Sequence, residues 1–272
     1  MKRLSAYTTF GIGGEARELV IARSYEALCE SAQSKALVLG NGSNVLVADS
    51  GYDGTVAINR YASADIGSLA VVGSGLMLPA LCKMLCERGK SGMEWAAGIP
   101  GTVGGAVRMN AGAFGSCVAD RLVYADVVRD GKRMRLYKPE LGLSYRHSAL
   151  GACDIVIKAA FETTTDSPQS IARRMKEFSD RRRLTQPTGR SAGSVFKNPT
   201  GMHIAELIEK AGLKGYRVGG AVVSDRHANI IVNTGGATAR DVRAVIEKVK
   251  QEVSAMFGVM PEEEIVYIGD FD

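Results

Sequence analysis

Aromatic residues are scarce in this chain of 272 residues: they make up 6% of it, and only one is tryptophan. Surfaces that bind nucleic acid usually combine a dense basic stripe with interleaved aromatic side chains, so nucleic acid is not an expected partner. Long apolar runs are also missing, since no stretch approaches the roughly 18 residues of a spanning helix. The basic residues near the start precede no apolar segment, which argues against a secretory signal and against membrane insertion.

Cysteine is sparse as well. The five cysteines are odd in number and form no Cys-x-x-Cys pair, so neither a disulfide framework nor a zinc site is indicated, and no metal is expected. Cys82 and Cys86 are spaced i, i+4 in an apolar helical pattern, which is typical of buried, reduced thiols. These features predict a reduced, soluble, cytoplasmic protein.

The composition is that of a globular chain, because 46% of the residues are hydrophobic and 23% are charged. This apolar content excludes disorder over most of the length. At about 150 residues per domain, two packed units are expected. Lys and Arg outnumber Asp and Glu by 34 to 29, a mild excess that suits an anionic small molecule.

Glycine is abundant, with 32 residues against 7 prolines. The most informative clusters are Gly40-Asn-Gly-Ser-Asn44, which follows an apolar strand, and Gly98-Ile-Pro-Gly-Thr-Val-Gly-Gly-Ala106. Consecutive glycines let backbone N–H groups approach a diphosphate closely, although each cluster alone is also compatible with a simple tight turn. Val45 stands where the Gly-x-Gly-x-x-Gly fingerprint requires its third glycine, so a Rossmann-type NAD site is disfavoured.

The order of elements predicts an α+β fold, because short strands and helices mix without a strict βαβ repeat. Pro79 and Gly89 mark the ends of one helix, and Thr238 caps another. Residues 217–223 are expected to form a single strand. A polar segment at 161–169 predicts a domain boundary, which separates residues 1–163 from residues 164–272. The first domain is expected to consist of two subdomains that divide near residue 60.

Six motifs follow one another along the chain: Thr8-Thr-Phe-Gly-Ile-Gly-Gly14, the two glycine clusters, Tyr145-Arg146, Ala192-Gly-Ser-Val-Phe-Lys-Asn-Pro199 and Glu264-Ile-Val-Tyr-Ile-Gly269. In this order they resemble the UDP-N-acetylenolpyruvoylglucosamine reductase (MurB) family, from residue 8 to residue 269. The resemblance implies a two-lobed FAD-binding half of the vanillyl-alcohol-oxidase (PCMH) type over 1–163. It also implies a C-terminal α+β substrate-binding domain over 164–272. The short segment after Arg146 resembles the family type that lacks a tyrosine-loop insertion.

The implied activity is the reduction of UDP-N-acetylglucosamine enolpyruvate to UDP-N-acetylmuramate in peptidoglycan precursor synthesis. FAD is the implied cofactor, NADPH the hydride-donating cosubstrate, and a monomer is expected. The implied FAD contacts are Gly40, Asn41, Gly42, Ser43, Asn44, Gly98, Pro100, Gly101, Gly104, Gly105, Asn110 and Gly112.

Such a reduction needs a hydride donor, a proton donor and groups that stabilise charge on the substrate carboxylate. The resemblance assigns the proton to Ser194 and the stabilisation of the enediolate to Arg146 and Glu264. A guanidinium fork suits that charge. Considered without its motif, Ser194 is more typical of a helix cap or a turn residue, and Arg146 is also compatible with a solvated side chain beside a loop. Glu264 is chosen by counting back from Ile-Gly, and its neighbours Glu262 and Glu263 are expected to remain solvated.

The residues implied in substrate binding are Tyr145, Lys197, Asn198 and His227. Whether Lys197 relays protons or only binds phosphate stays open, and a structural role for His227 is equally compatible with the sequence. The basic run at 181–183 would attract an anion or simply be solvated. The sequence is also compatible with two other functions: a flavin oxidase acting on an alcohol or lactone, and a nucleotide-sugar-binding module without catalysis.

Overall fold

A computed structural model describes residues 2–271 of the chain. Within them the α-helices are α1 (Tyr25–Gln33), α2 (Leu78–Glu87), α3 (Val103–Arg108), α4 (Pro168–Thr185), α5 (Ile204–Lys210) and α6 (Ala239–Phe257). The first strands are β1 (Ala16–Ala22), β2 (Leu37–Leu39), β3 (Val45–Val47), β4 (Tyr52–Asn59), β5 (Ala64–Ile66), β6 (Leu69–Gly73), β7 (Lys90–Ser91), β8 (Gly112–Ala113) and β9 (Ser116–Cys117). The later strands are β10 (Leu122–Arg129), β11 (Lys132–Tyr137), β12 (Ile155–Glu162), β13 (Thr164–Thr165), β14 (Arg217–Val218), β15 (Ala221–Val223), β16 (Ile231–Asn233) and β17 (Val266–Ile268).

The chain divides into two compact units that differ from the predicted division. The terminal unit consists of Met1–Glu18, Gly42–Gly54 and Arg183–Asp272, and the central unit of Leu19–Asn41 and Thr55–Arg182. A single cut after residue 163 does not describe this packing, because two early segments belong with the C-terminal one. Which half binds cofactor and which binds substrate stays a prediction.

The central unit is built on a five-stranded sheet in the order β11-β10-β12-β6-β5, in which the neighbouring strands run antiparallel. Its two faces bury different residues, since successive side chains of a strand point to opposite sides. Val127 joins the core that contains residues of α2 and α3, whereas Val128 packs with residues of α1. Helices therefore cover both faces of the sheet.

Local signals in the sequence correspond to element boundaries in this unit. Pro79 lies in the first turn of α2, and Gly89 follows that helix with φ +62°. Cys82 is buried, and burial, reinforced by the charge of Glu94, raises the pKa of its thiol to about 12. Cys86 is only partly buried, so the expectation of two buried thiols was wrong for this residue.

The terminal unit combines the antiparallel sheet β14-β15-β16 with α5 and α6, and pairs β17 in parallel with β3. Thr238 caps α6 as predicted: its hydroxyl accepts a 3.0 Å hydrogen bond from the N–H of Asp241. The single strand expected at 217–223 was wrong. The chain turns at Gly219, where φ is +51°, so Val218 pairs with Ala221 in a hairpin.

None of the helices in the described part of the chain is long and apolar enough to cross a membrane. The same residues contain no group of three or more His, Cys, Asp or Glu side chains that could hold a metal ion.

Candidate functional site

The second glycine cluster forms the start of α3 in the central unit. Thr102 caps this helix, and its hydroxyl accepts from the N–H of Gly105 at 3.4 Å. The N–H of Gly104 is bound to the carbonyl of Ser74 at 2.8 Å, and a Cβ at Gly104 would lie 2.9 Å from the Cβ of Ser74. Packing therefore requires glycine at position 104.

Gly105 is different, because a Cβ there would meet only the Thr102 hydroxyl, at 3.6 Å. Glycine lowers helix stability relative to alanine, and neither packing nor backbone conformation explains it at this position. A ligand that approaches the backbone closely would explain it. The unfilled space beside Gly105 at the start of α3 suits the pyrophosphate of a dinucleotide. The residues present therefore fit FAD.

The first cluster is held against the second within the central unit by its leading residues. The side-chain amide of Asn41 donates to the carbonyl of Pro100 at 2.7 Å. A Cβ at Gly40 would lie 2.3 Å from the hydroxyl oxygen of Thr102, so only glycine permits this approach. The structure thus brings together Gly40, Asn41 and the 98–105 segment, including Gly98 and Gly101.

The remaining residues of the first cluster belong to the terminal unit. Gly42 has φ +59° and lies against the backbone of Tyr7 and Thr8. The side-chain amide of Asn44 donates to the carbonyl of Glu264 at 3.0 Å, and the carbonyl of Asn44 accepts from Val266 N–H at 2.9 Å. Ser43 is half-buried between them. Asn44 thus anchors the strand that follows Glu264.

Arg146 lies at the tip of a tight turn in the central unit. Ser144 and His147 exchange two backbone hydrogen bonds of 3.1 and 3.2 Å, which leaves Tyr145 and Arg146 as the turn residues. Arg146 has φ +55°, a left-handed conformation that costs a residue with a side chain about 1–3 kcal/mol. Its Nη2 donates to the carbonyl of Gly112 at 3.0 Å, and its guanidinium carbon lies 5.3 Å from the Tyr145 ring centre. The side chain of Arg146 is therefore half-buried and positioned by its contacts with Gly112 and Tyr145.

Ser194 and Glu264 lie on neighbouring segments of the terminal unit. The N–H of Glu264 donates to the carbonyl of Val195 at 2.7 Å, next to Ser194 in the chain. Ser194 also pairs in antiparallel fashion with Ile230, and both functional side chains are half-buried. The hydroxyl proposed as proton donor and the proposed carboxyl group are thus carried by segments that hydrogen-bond to each other.

The neighbouring glutamates are not both solvated, so that expectation was wrong for Glu263. Its carboxylate accepts from Lys250 Nζ at 2.9 Å and from the hydroxyl of Tyr267. Glu262 is exposed, but it accepts from Lys197 Nζ at 2.5 Å. Both carboxylates thus have structural partners of their own, and the role of Glu264 stays a prediction.

The other residues implied in substrate binding are distributed over both units. Asn198 and His227 belong to the terminal unit, where Asn198 Oδ1 accepts from the N–H of Ile204 at 3.1 Å. Burial lowers the pKa of His227, and the positive charge of Lys214 adds to this effect, so its ring is neutral at pH 7. Tyr145, in the central unit, is 53% exposed.

The sequence did not indicate a role for Asn229, although this residue lies two positions after His227 in the chain. Its buried amide donates to the carbonyl of Phe196 at 2.8 Å and accepts from the Phe196 N–H at 2.9 Å. The amide therefore fixes the backbone two residues after Ser194. No local pattern distinguishes this asparagine from a turn residue, since its partner lies 33 residues away.

Comparison with known proteins first establishes the class of protein to which the chain belongs. Residues 23–136 match the model of an FAD binding domain, so the chain is a flavoprotein with the α+β fold described above. Residues 185–268 match the model described as "UDP-N-acetylenolpyruvoylglucosamine reductase, C-terminal domain".

Relatives that match along the whole chain identify the family. UDP-N-acetylenolpyruvoylglucosamine reductase of Moorella thermoacetica is 43% identical over 98% of this chain and 92% of its own length. The protein of that name from Halalkalibacterium halodurans is 41% identical over 98% of this chain and 93% of its own length. The crystal structure of UDP-N-acetylenolpyruvylglucosamine reductase (MurB) from Thermus caldophilus superimposes with a TM-score of 0.89 at 38% identity, covering 98% of this chain and 97% of that one. The chain belongs to the UDP-N-acetylenolpyruvoylglucosamine reductase (MurB) family.

Proposed function

We propose that this protein reduces UDP-N-acetylglucosamine enolpyruvate to UDP-N-acetylmuramate for peptidoglycan precursor synthesis, with FAD as cofactor and NADPH as cosubstrate. The observation that carries the proposal is the hydrogen bond between Glu264 and Val195, which joins the Ser194 segment to the Glu264 segment in a chain of this family. We assign the reaction to the cytoplasm and to a monomer, as expected from the sequence.

When bound, FAD would supply the hydride-transfer chemistry between NADPH and the vinyl group of the substrate. The chain would hold FAD with the residues of the two glycine clusters. Gly105 would lie where the cofactor approaches the backbone most closely. Gly112 follows in the same unit. Gly42, Ser43 and Asn44 would contribute from the terminal unit.

Ser194 would supply the proton to the carbon that carries the substrate carboxylate. A serine hydroxyl is a weak acid and needs a neighbour that stabilises its oxygen or returns a proton. Lys197 lies three residues further on, but its ammonium group is paired with Glu262. Phosphate binding is therefore the simpler role for Lys197, because an anionic substrate can compete for the ammonium group.

Arg146 and Glu264 would stabilise the enediolate. A guanidinium fork forms two parallel N–H bonds to a carboxylate, and these strengthen as the oxygens gain charge. Tyr145, Asn198 and His227 would contact the sugar nucleotide, and a neutral His227 suits hydrogen bonding.

The proposal is tested with the purified holoprotein by following the flavin absorbance in two separate half-reactions. NADPH should bleach the flavin band, and the enolpyruvyl substrate should restore it without oxygen. Ser194→Ala should bleach normally and regain colour about 10²-fold more slowly, since proton donation contributes roughly that factor. A colourless protein that cannot be reconstituted with FAD would contradict the proposal. So would reduced flavin that reacts rapidly with oxygen and not with the substrate, which would favour an oxidase.

A further inference from the structure

We propose that Asn110 is a positioning residue that holds the Arg146 turn in its left-handed conformation. The inference rests on the proposed function, in which Arg146 stabilises the enediolate. It assigns Asn110 a role different from the contact with FAD that the sequence predicted.

The turn itself explains why a holding residue is needed. Its third position usually carries glycine when φ is positive, because a side chain is strained there. Arg146 has φ +55° at this position, and two backbone bonds between Ser144 and His147 close the turn. A strained residue persists only where the surrounding structure determines its conformation.

The side chain of Asn110 fixes the conformation of this turn. Its side chain is buried, with the residue only 5% exposed. Nδ2 donates to the carbonyl of Ser144 at 2.8 Å, and Oδ1 accepts from the N–H of Ala119 at 2.9 Å. The amide therefore links the first residue of the turn to the backbone near the start of β10.

The segment that begins with Asn110 also contacts the guanidinium group. The carbonyl of Gly112, two residues further on, accepts from Arg146 Nη2 at 3.0 Å. One short segment thus holds both the backbone of the turn and its functional side chain. A second anchor lies after the turn, where the hydroxyl of Ser148 donates to the carbonyl of Arg108 at 2.6 Å.

The amide is bonded to the protein at both of its ends, which supports a positioning role. Its oxygen accepts from Ala119, and its nitrogen donates to Ser144. Each end keeps one further hydrogen-bonding position, so the FAD affinity of the variants is the measurement that separates positioning from cofactor contact.

The test uses Asn110→Asp and Asn110→Ala in the full-length holoprotein. Aspartate has the same shape and can still accept from Ala119, but it places a carboxylate oxygen beside the Ser144 carbonyl. Val128→Ala is the matched control for a general loss of stability, because Val128 is buried in the separate core with residues of α1. All variants are compared below their melting temperatures.

The first readout is native-state cleavage by trypsin after Arg146, which does not depend on the proposed function. Release of the turn should accelerate this cleavage by about tenfold or more in both Asn110 variants, since proteolysis follows local opening. Val128→Ala should not accelerate it. Equal cleavage rates in all four proteins would overturn the inference.

The second readout separates the half-reactions. Oxidation of the reduced flavin by the enolpyruvyl substrate should slow by about 10- to 100-fold in both variants, because misplacing a catalytic group has effects of that size. FAD affinity and the rate of reduction by NADPH should change by less than about threefold. In an Arg146→Lys background the Asn110 substitutions should add little, since the two residues act together.

The outcomes distinguish the two proposals. Lost FAD, or slowed reduction by NADPH, would make Asn110 a cofactor contact and overturn the inference. If wild-type protein is not oxidised by the substrate, the proposed function fails, and trypsin cleavage still decides whether Asn110 holds the turn.

Discussion

Gly105→Ala is expected to stabilise the flavin-free protein and to weaken its binding of FAD. Gly105 is the third residue of α3, and a Cβ there meets only the Thr102 hydroxyl, at the ordinary distance of 3.6 Å. Alanine therefore introduces no strain in the folded state, while it restricts the unfolded chain. The free energy of unfolding of the apoprotein should rise by about 0.5–1 kcal/mol.

The effect on FAD has the opposite sign, because the added methyl group occupies the space where a pyrophosphate would approach the backbone. Losing one hydrogen bond to a charged group costs about 1.5–3 kcal/mol, which corresponds to an increase of Kd by about 10- to 100-fold. Gly104→Ala is the contrasting variant. Its Cβ would lie 2.9 Å from that of Ser74, so it should destabilise the apoprotein.

Thermal unfolding of the apoprotein and titration with FAD measure the two effects separately. The melting temperature of Gly105→Ala should rise by about 1–3 °C. Gly67→Ala is the control, because a Cβ at Gly67 meets no atom within 4 Å and the residue lies in neither glycine cluster. If Gly105→Ala is more stable but binds FAD as tightly as wild type, the approach of cofactor at Gly105 is refuted.

Two further perturbations test charged groups. Burial alone would raise the pKa of Asp154, but hydrogen bonds from Arg129 and Gly151 hold it below its ordinary value. Its stabilising contribution is therefore complete at neutral pH and declines progressively as the pH falls from about 4 through the lowered pKa. Asp154→Asn should cost about 1–3 kcal/mol in urea unfolding at pH 7 and less at pH 3, and an equal cost at both pH values would contradict this. Glu262→Gln should lower KM for the UDP substrate by about two- to fivefold in steady-state assays, because it releases Lys197 from an exposed ion pair; an unchanged KM would show that Lys197 does not meet the substrate.

Local chemistry made part of the fold predictable. The α+β class and the presence of an FAD-binding domain were confirmed. The caps of α2 and α6 were visible because Pro79, Gly89 and Thr238 act within a few residues of their own positions. The hairpin at 217–223 was missed because apolar residues on both sides of Gly219 hide the turn. The discontinuous terminal unit was missed because strand pairing across the chain leaves no local signal.

In the candidate site, too, some features were predictable from local sequence and others were not. The types of functional residues follow from motifs, whereas their geometry depends on distant partners. The positive φ of Arg146 is not encoded by the turn alone, since arginine is unfavourable there, but by contacts with Asn110 and Gly112. The pairing of Lys197 with Glu262 spans 65 residues and changes what is expected of the lysine.

The parallel pairing of β3 with β17 has a consequence for biosynthesis. Val45 is paired with Val266, so a ribosome must add more than two hundred residues before the partner of β3 exists. The central unit, in contrast, is complete once residue 182 has emerged. The nascent chain thus carries an unsatisfied strand edge for most of its translation, and a premature stop before residue 266 would leave that edge open to pairing with other chains.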